Sequence, residues 1–353
     1  MNMLFTNKYA VKHFLTVLGD NILKKQTNNI YIISSTAKTL LRLFENQGAN
    51  YFGHIPLLNS FRYKYHDHEY KDCRLINIKN IKSIAEICDK IYEPFKNNII
   101  DIFVVSCYYS NRYNNADDYL NNCQDIQYSN HVLYLKNNQP EEIVDKFITS
   151  KIQELKESVI SQKNMLYLWK CYLEEIDIPN IIFISNLKNI LKQKLKYDEV
   201  NDKYIGYTSL SLPIVSNFIK FWDENMKENN SEYYLEIEEI CILFKSWFVT
   251  KPSFEIKEFN IINLIRHFYP DIIIDENKFI YGINCNLWNK NNDITNFLYY
   301  YKEKFVLNDT HITSISIYDL YSEYTTKYCK KNKNNIIIGK QYFELFMSEY
   351  NYK

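Results

Sequence analysis

Glycine is scarce in this chain. Six glycines and seven prolines stand among 353 residues. The one pair with the spacing of a phosphate-binding loop, Gly48 and Gly53, is followed by His54 and Ile55, where a nucleotide site needs Lys and Ser/Thr for the phosphates and magnesium. Ser35-Thr36-Ala37-Lys38-Thr39 follows a strand-like run and keeps a Lys-Thr pair, but has no glycine to let backbone wrap a phosphate. Net charge is also missing: Lys+Arg and Asp+Glu are both 42, so any attraction to nucleic acid must come from a local patch. No GxSxG nucleophile elbow, no CxxC pair and no apolar run of about 18 residues occurs. The eight cysteines are scattered, several inside apolar runs, which reads as buried thiols rather than a disulfide framework. Residues 1–12 have no sustained apolar segment of the secretory kind. The expectation is a chain without a membrane span, in the cytoplasm.

What is abundant is tyrosine, with 32 residues, together with Asn, Ile and Lys. Their shared A/T-rich codons point to an AT-rich genome rather than to chemistry. Apolar residues at 46% and charged residues at 24% describe a globular chain, and its length predicts two or three domains. The pattern predicts an α+β, mostly helical protein with a small α/β N-terminal layer over 1–137, a helical middle over 138–230 and winged-helix-like units over 231–353.

Several elements can be placed. Residues 8–24 carry Val11, Phe14, Leu15, Leu18 and Ile22 on one helical side. Asn29–Ser34 reads as a strand, and Ser35 or Thr36 can cap a helix through Leu43 and Phe44. Tyr63–Ile78 reads as strand-like and Ile81–Tyr92 as helical. The apolar run Ile99–Cys107 reads as a central strand, followed by an Asn-rich loop at Tyr108–Ser129 and a strand at His131–Leu135. Pro140 opens a helix whose stripe runs to Leu155. Asn164–Ile176 and Pro213–Met226 are amphipathic helices, Ile181–Ile184 is a short strand, and Lys227–Ser231 reads as a linker. Leu235–Phe248 and Ile256–Phe268 are helices, and Glu276-Asn277 is a hairpin turn between Ile272–Asp275 and Lys278–Ile283. Helix, helix and hairpin in that order outline a winged helix-turn-helix. A truncated second version follows: a helix from Ser316 through Tyr328, a short strand at Ile336–Ile338 and a helix at Lys340–Met347.

Three clusters could carry chemistry. His66 and His68 share one strand face, with Asp67, Glu69 and Cys73 nearby, though Cys73 has the opposite parity for a zinc site. Asp101, Asp117, Asp118 and Asp125, with Arg112, could hold magnesium at the end of the apolar strand. Lys327, Lys330, Lys331, Lys333 and Lys340 form the clearest basic patch, with Tyr328 interleaved and no acid between its ends, as phosphate contacts require.

The segments Ile317-Tyr-Asp-Leu-Tyr-Ser-Glu-Tyr324 and Ile336-Ile-Ile-Gly339-Lys-Gln-Tyr-Phe343 resemble the small helical domain that follows the ATPase in superfamily 3 helicase-primases of nucleocytoplasmic large DNA viruses. The likeness spans about 40 of the 353 residues and leaves out the ATPase, whose phosphate loop is missing. It implies a setting of viral DNA replication or transcription, in host cytoplasm or a viral factory, and carries over no catalytic residue. The leading expectation is a non-catalytic accessory factor, without cofactor, that binds nucleic acid or a replication partner. A protein-interaction scaffold and a metal-dependent nuclease using Asp101, Asp117 and Asp118 are the alternatives.

Overall fold

The computed structural model describes residues 4–5, 7–25, 28–33, 35–54, 57–62, 68–76, 92–229, 233–248, 256–305, 316–332 and 336–350. The chain is mostly helical with small sheets and divides into two compact units, residues 1–208 and 209–353. The divisions expected at 137/138 and 230/231 fall inside the first and the second unit respectively. His66, Asp67, Lys333 and residues 81–91 lie outside the described residues.

In the first unit, α1 (Lys8–Ile22) is capped by the Asn7 side chain, which accepts from the Ala10 N–H. The β-rich run Ile30–Ile32 forms β1, and α2 (Ser35–Phe52) follows it directly. Gly48 therefore sits within a helix, and Gly53 ends it at φ +70°, so the two glycines build no loop. After α3 (Leu57–Ser60) come β2 (Phe61–Arg62) and β3 (Cys73–Leu75). They flank β1 in a parallel sheet of order β2-β1-β3, with Tyr31 opposite both Phe61 and Arg74. This is the small α/β layer, but its centre is β1.

The run Ile99–Cys107 is not a strand. After a short α4 (Glu93–Asn97) it lies in α5 (Ile99–Asn111). Its fully buried residues, Ile99, Phe103, Ser106 and Ser110, recur at helical spacing. Small residues make the difference. Gly19 of α1 packs so closely on α5 that a Cβ there would overlap the Ser106 carbonyl and lie 2.7 Å from the Ser110 Cβ. Tertiary packing of this kind overrides the strand preference of Ile and Val.

The Asn-rich stretch is likewise helical in part. The side chains of Asn115 and Asp125 cap α6 (Ala116–Asn121) and α7 (Ile126–Val132). His131 and Val132 end α7 rather than starting a strand.

Pro140 does open a helix, α8 (Pro140–Lys151), where the Glu142 carboxylate accepts from the Gln139 N–H. The helix stops at Lys151, because Ile152 turns extended into β4 (Gln153–Ser161), which takes Leu155 out of the helical stripe. After α9 (Gln162–Glu175), Ile181 and Ile182 make no strand pairing and Ile184 begins α10 (Ile184–Lys194). β4 instead pairs with β6 (Lys203–Thr208), and β6 pairs with β5 (Tyr197–Asp198). The middle of the chain thus holds an antiparallel sheet that local propensity did not reveal.

The second unit opens with the amphipathic α11 (Leu212–Asn225), which has Pro213 in its first turn. The expected linker begins as a strand, β7 (Met226–Glu228). Then follow β8 (Tyr234–Glu236), α12 (Ile237–Trp247), α13 (Glu258–Phe268), β9 (Phe279–Tyr281) and β10 (Ile283–Cys285). β8 pairs antiparallel with β9, and β7 with β10. The turn at Glu276-Asn277 is present, with φ of 48° and 60° and a bridge between Asp275 and Phe279. Only that bridge remains of the strand expected at Ile272–Asp275.

The unit ends with α14 (Lys290–Phe305), α15 (Ile317–Glu323), a π-helical turn at Tyr324–Tyr328, α16 (Cys329–Asn332) and α17 (Lys340–Tyr350). Ser316 caps α15 through the Asp319 N–H. Ile336 and Ile338 are buried but pair with no strand among the described residues. Many tyrosines find their place here: Phe297, Tyr324, Tyr328 and Phe343 pack ring against ring, with centroids 5.4–6.0 Å from Phe297.

Candidate nucleic-acid interface

Of the lysines expected to meet phosphate, Lys327, Lys330 and Lys331 lie on the short helical turns between α15 and α17 and Lys340 opens α17, and the fold sorts these four into two kinds. Lys327 pairs with Glu323 one turn earlier, a hydrogen bond that raises the lysine's pKa and offsets its charge. Lys340 approaches Glu344 at 3.5 Å and lies over the Tyr318 ring at 5.4 Å. Lys330 and Lys331, on α16, have no acidic partner among the described residues.

Lys331 reaches over the Tyr300 ring, 4.9 Å from its centroid. Lys304, from the last turn of α14, reaches the same ring at 5.6 Å. Two ammonium groups from different helices therefore meet on one tyrosine, which itself packs on Tyr328 at 5.4 Å. Tyr299 beside it is 64% exposed, so the cluster borders an accessible aromatic. Lys304 was not among the residues singled out from sequence. It stands 27 positions before Lys331, and nothing local links the two.

The carboxylates do not assemble into a metal centre. Asp101 lies exposed in the first turn of α5. Asp117 is gripped by buried Arg74, with Nε donating to Oδ1 at 2.9 Å and Nη2 to Oδ2 at 2.7 Å, and by Lys136 at 3.0 Å. Burial alone would raise its pKa, but the Arg74 and Lys136 bonds outweigh that and hold the carboxyl below its usual range. Asp118 accepts from the Asn114 N–H and side chain, while Asp125 caps α7. Asp117, Asp118 and Asp125 thus each have a separate structural partner, and with Asp101 they do not converge on one point.

Of the histidine cluster, Glu69 pairs with Lys71 at 2.5 Å, and Cys73 is buried in β3, where desolvation pushes its thiol up to about 11. His68 lines a cleft of about 360 Å³ with Tyr70, Pro140 and Phe183. Among the described residues no group of three or more His, Cys, Asp and Glu side chains could hold a metal ion.

A second feature that sequence reading missed is an ion pair in the interior of the second unit. Lys290, at the start of α14, is fully buried, with Nζ 2.6 Å from Glu239 Oε2. The rings of Tyr342, Tyr234 and Trp288 surround it at 4.4, 4.8 and 5.8 Å. Burial raises the Glu239 pKa to about 7 despite the lysine, and the same desolvation lowers that of Lys290. Glu239 also accepts from the Glu236 N–H. The Glu236 carboxylate occupies the space beside residue 339 just before α17, so a side chain there would displace it. This network joins β8 and α12 to α14 and α17, the helices that carry lysine residues 304 and 340.

The chain matches no protein-family model, no curated protein and no solved structure. No helix among the described residues is long and apolar enough to cross a membrane.

Proposed function

We propose that this chain is a non-catalytic accessory factor that binds nucleic acid through the lysine and tyrosine surface of α14 and α16. The observation that carries this reading is the meeting of Lys304 and Lys331 on the Tyr300 ring, with Lys330 adjacent on α16. Lysines beside accessible aromatic rings suit a phosphate backbone with neighbouring bases, as in single-strand binding surfaces. Lys327 and Lys340, already paired with glutamates, contribute less. The viral replication or transcription setting rests on the resemblance in residues 317–343.

The order α11, β8, α12, α13, β9, with a tight turn before β9 and β8 paired to it, supports a winged-helix-like unit. In that outline α13 would be the helix offered to a groove. Its surface mixes Lys257, Glu258 and Arg266, and the adjoining turn carries Asp275 and Glu276. That mixture favours the α14–α16 surface for phosphate contact and leaves α13 as a face for a protein partner.

The test is fluorescence anisotropy with labelled single- and double-stranded oligonucleotides across a salt series. Binding should weaken steeply with salt. Lys330→Glu with Lys331→Glu should lower the log–log salt slope for duplex DNA by about 2. No binding at low salt, or a slope the double variant leaves unchanged, rejects the reading.

A further inference from the structure

The most apolar run of the chain is only half used by its own fold. α5 buries Ile99, Phe103, Ser106 and Ser110 against the first unit, yet Ile100, Val104, Val105 and Tyr108 on its other side are 44%, 59%, 41% and 59% exposed. A surface helix normally turns polar residues outward, and one that is apolar all round belongs in an interior. Here residues 100, 104 and 108 form a stripe at the i, i+4 spacing, with Val105 on its flank. This is also why the run looks like a buried central strand in the sequence.

The charges flanking the stripe indicate what covers it. Between Ile99 and Arg112 only two residues are charged, Asp101 near the start of the helix and Arg112 just after its end. Neither forms an ion pair among the described residues. The Arg112 guanidinium folds back over the Tyr108 ring, 5.7 Å from its centroid, which places its positive charge about one turn N-terminal of its own Cα. At 100° per residue, Asp101, Tyr108 and Arg112 lie on the same flank of the outward face as Val105.

We propose that α5 pairs antiparallel with α5 of a second copy of this chain, about a two-fold axis between Val104 and Val105. That register sets Val104 level with Val105 of the second copy, and Ile100 falls within one residue, about 1.5 Å along the axis, of its Tyr108. It also brings Asp101, about 5 Å along the helix from the axis, level with the guanidinium lying over Tyr108 of the second copy. The twofold repeats both ion pairs, which is the self-complementarity an isologous interface requires. One helix face is at the small end of protein interfaces, so the dimer is a weak one, with dissociation in the range of roughly 1–100 µM. The proposal is independent of nucleic-acid binding, since it involves only the first unit.

Sedimentation velocity on the full chain, from about 1 to 200 µM and without nucleic acid, tests it. The wild type should pass from monomer to dimer with concentration. Val104→Glu, at an exposed position, should weaken association at least tenfold while leaving the circular dichroism spectrum intact. Asp101→Arg and Arg112→Asp should each weaken it several-fold, and the two together should restore it to within about threefold of wild type. A monomer at every concentration overturns the proposal and leaves the face to another partner. So does a dimer indifferent to Val104→Glu, or a double reversal weaker than both single ones.

Discussion

Removing the Lys290 ammonium is the sharpest probe of how the second unit is held together. Lys290→Met keeps most of the aliphatic volume but leaves Glu239, 5% exposed, without its counter-charge. Breaking a buried ion pair on one side costs about 3–5 kcal/mol, because the remaining charge stays desolvated. In a unit of this size that lowers the melting temperature by roughly 10–15 °C. Trp222, Trp247 and Trp288 all belong to this unit, so tryptophan fluorescence during urea or thermal unfolding reports on it.

The cost should depend on pH in a defined direction. Burial already raises the Glu239 pKa from 4.5 to about 7 with Lys290 in place, and loss of the lysine raises it further. In the folded chain Glu239 therefore holds its proton to higher pH than in the unfolded chain. Its contribution to stability is fully present below about 4.5 and is lost as pH rises through its folded value. At pH 5 the variant can neutralise Glu239 by protonation, so its penalty should fall to less than half of that at pH 8. Replacing both residues, Lys290→Met with Glu239→Met, should recover most of the loss at pH 8. A single-variant cost below about 1 kcal/mol, or one equal at pH 5 and pH 8, would refute this account of the pair.

Two further perturbations address the first unit. Arg74→Met removes both bonds to the Asp117 carboxylate and should destabilise by about 3 kcal/mol at pH 7, measured by urea unfolding. Because the Asp117 pKa is lowered in the folded state, its stabilisation is present above its ordinary value of 3.8 and disappears as pH falls through the folded value. The gap between variant and wild type should therefore narrow in acid, and a gap that widens there contradicts the assignment. Gly19→Ala drives a methyl group into the α5 backbone at Ser106 and should cost about 3 kcal/mol in thermal unfolding. A neutral effect would mean that α1 and α5 are not packed this closely.

The basic surface was half legible. Its lysines on α16 stand together in the sequence, and the Glu323–Lys327 pairing follows from four-residue spacing on a helix. The contribution of Lys304 was not legible, because it depends on how α14 lies beside α16. Nor were the strand partners: β7 waits for β10 more than fifty residues later, and a polar stretch with no partner in view reads as a linker.

By itself, the sequence determined the mostly helical class, the starts of α1, α8 and α11, the stripes of α1 and α11, the cap at Ser316 and the tight turn at Glu276-Asn277. All of these rest on spacing, capping and turn chemistry within a few residues of one another. Only the tertiary structure decided that Ile99–Cys107 is a helix, since seven apolar residues out of nine fit either period until Gly19 offers a close surface on one side. It alone also placed Lys290 against Glu239 and Arg74 against Asp117. These pairs are stable only where burial removes water, and burial is a property of the assembled chain.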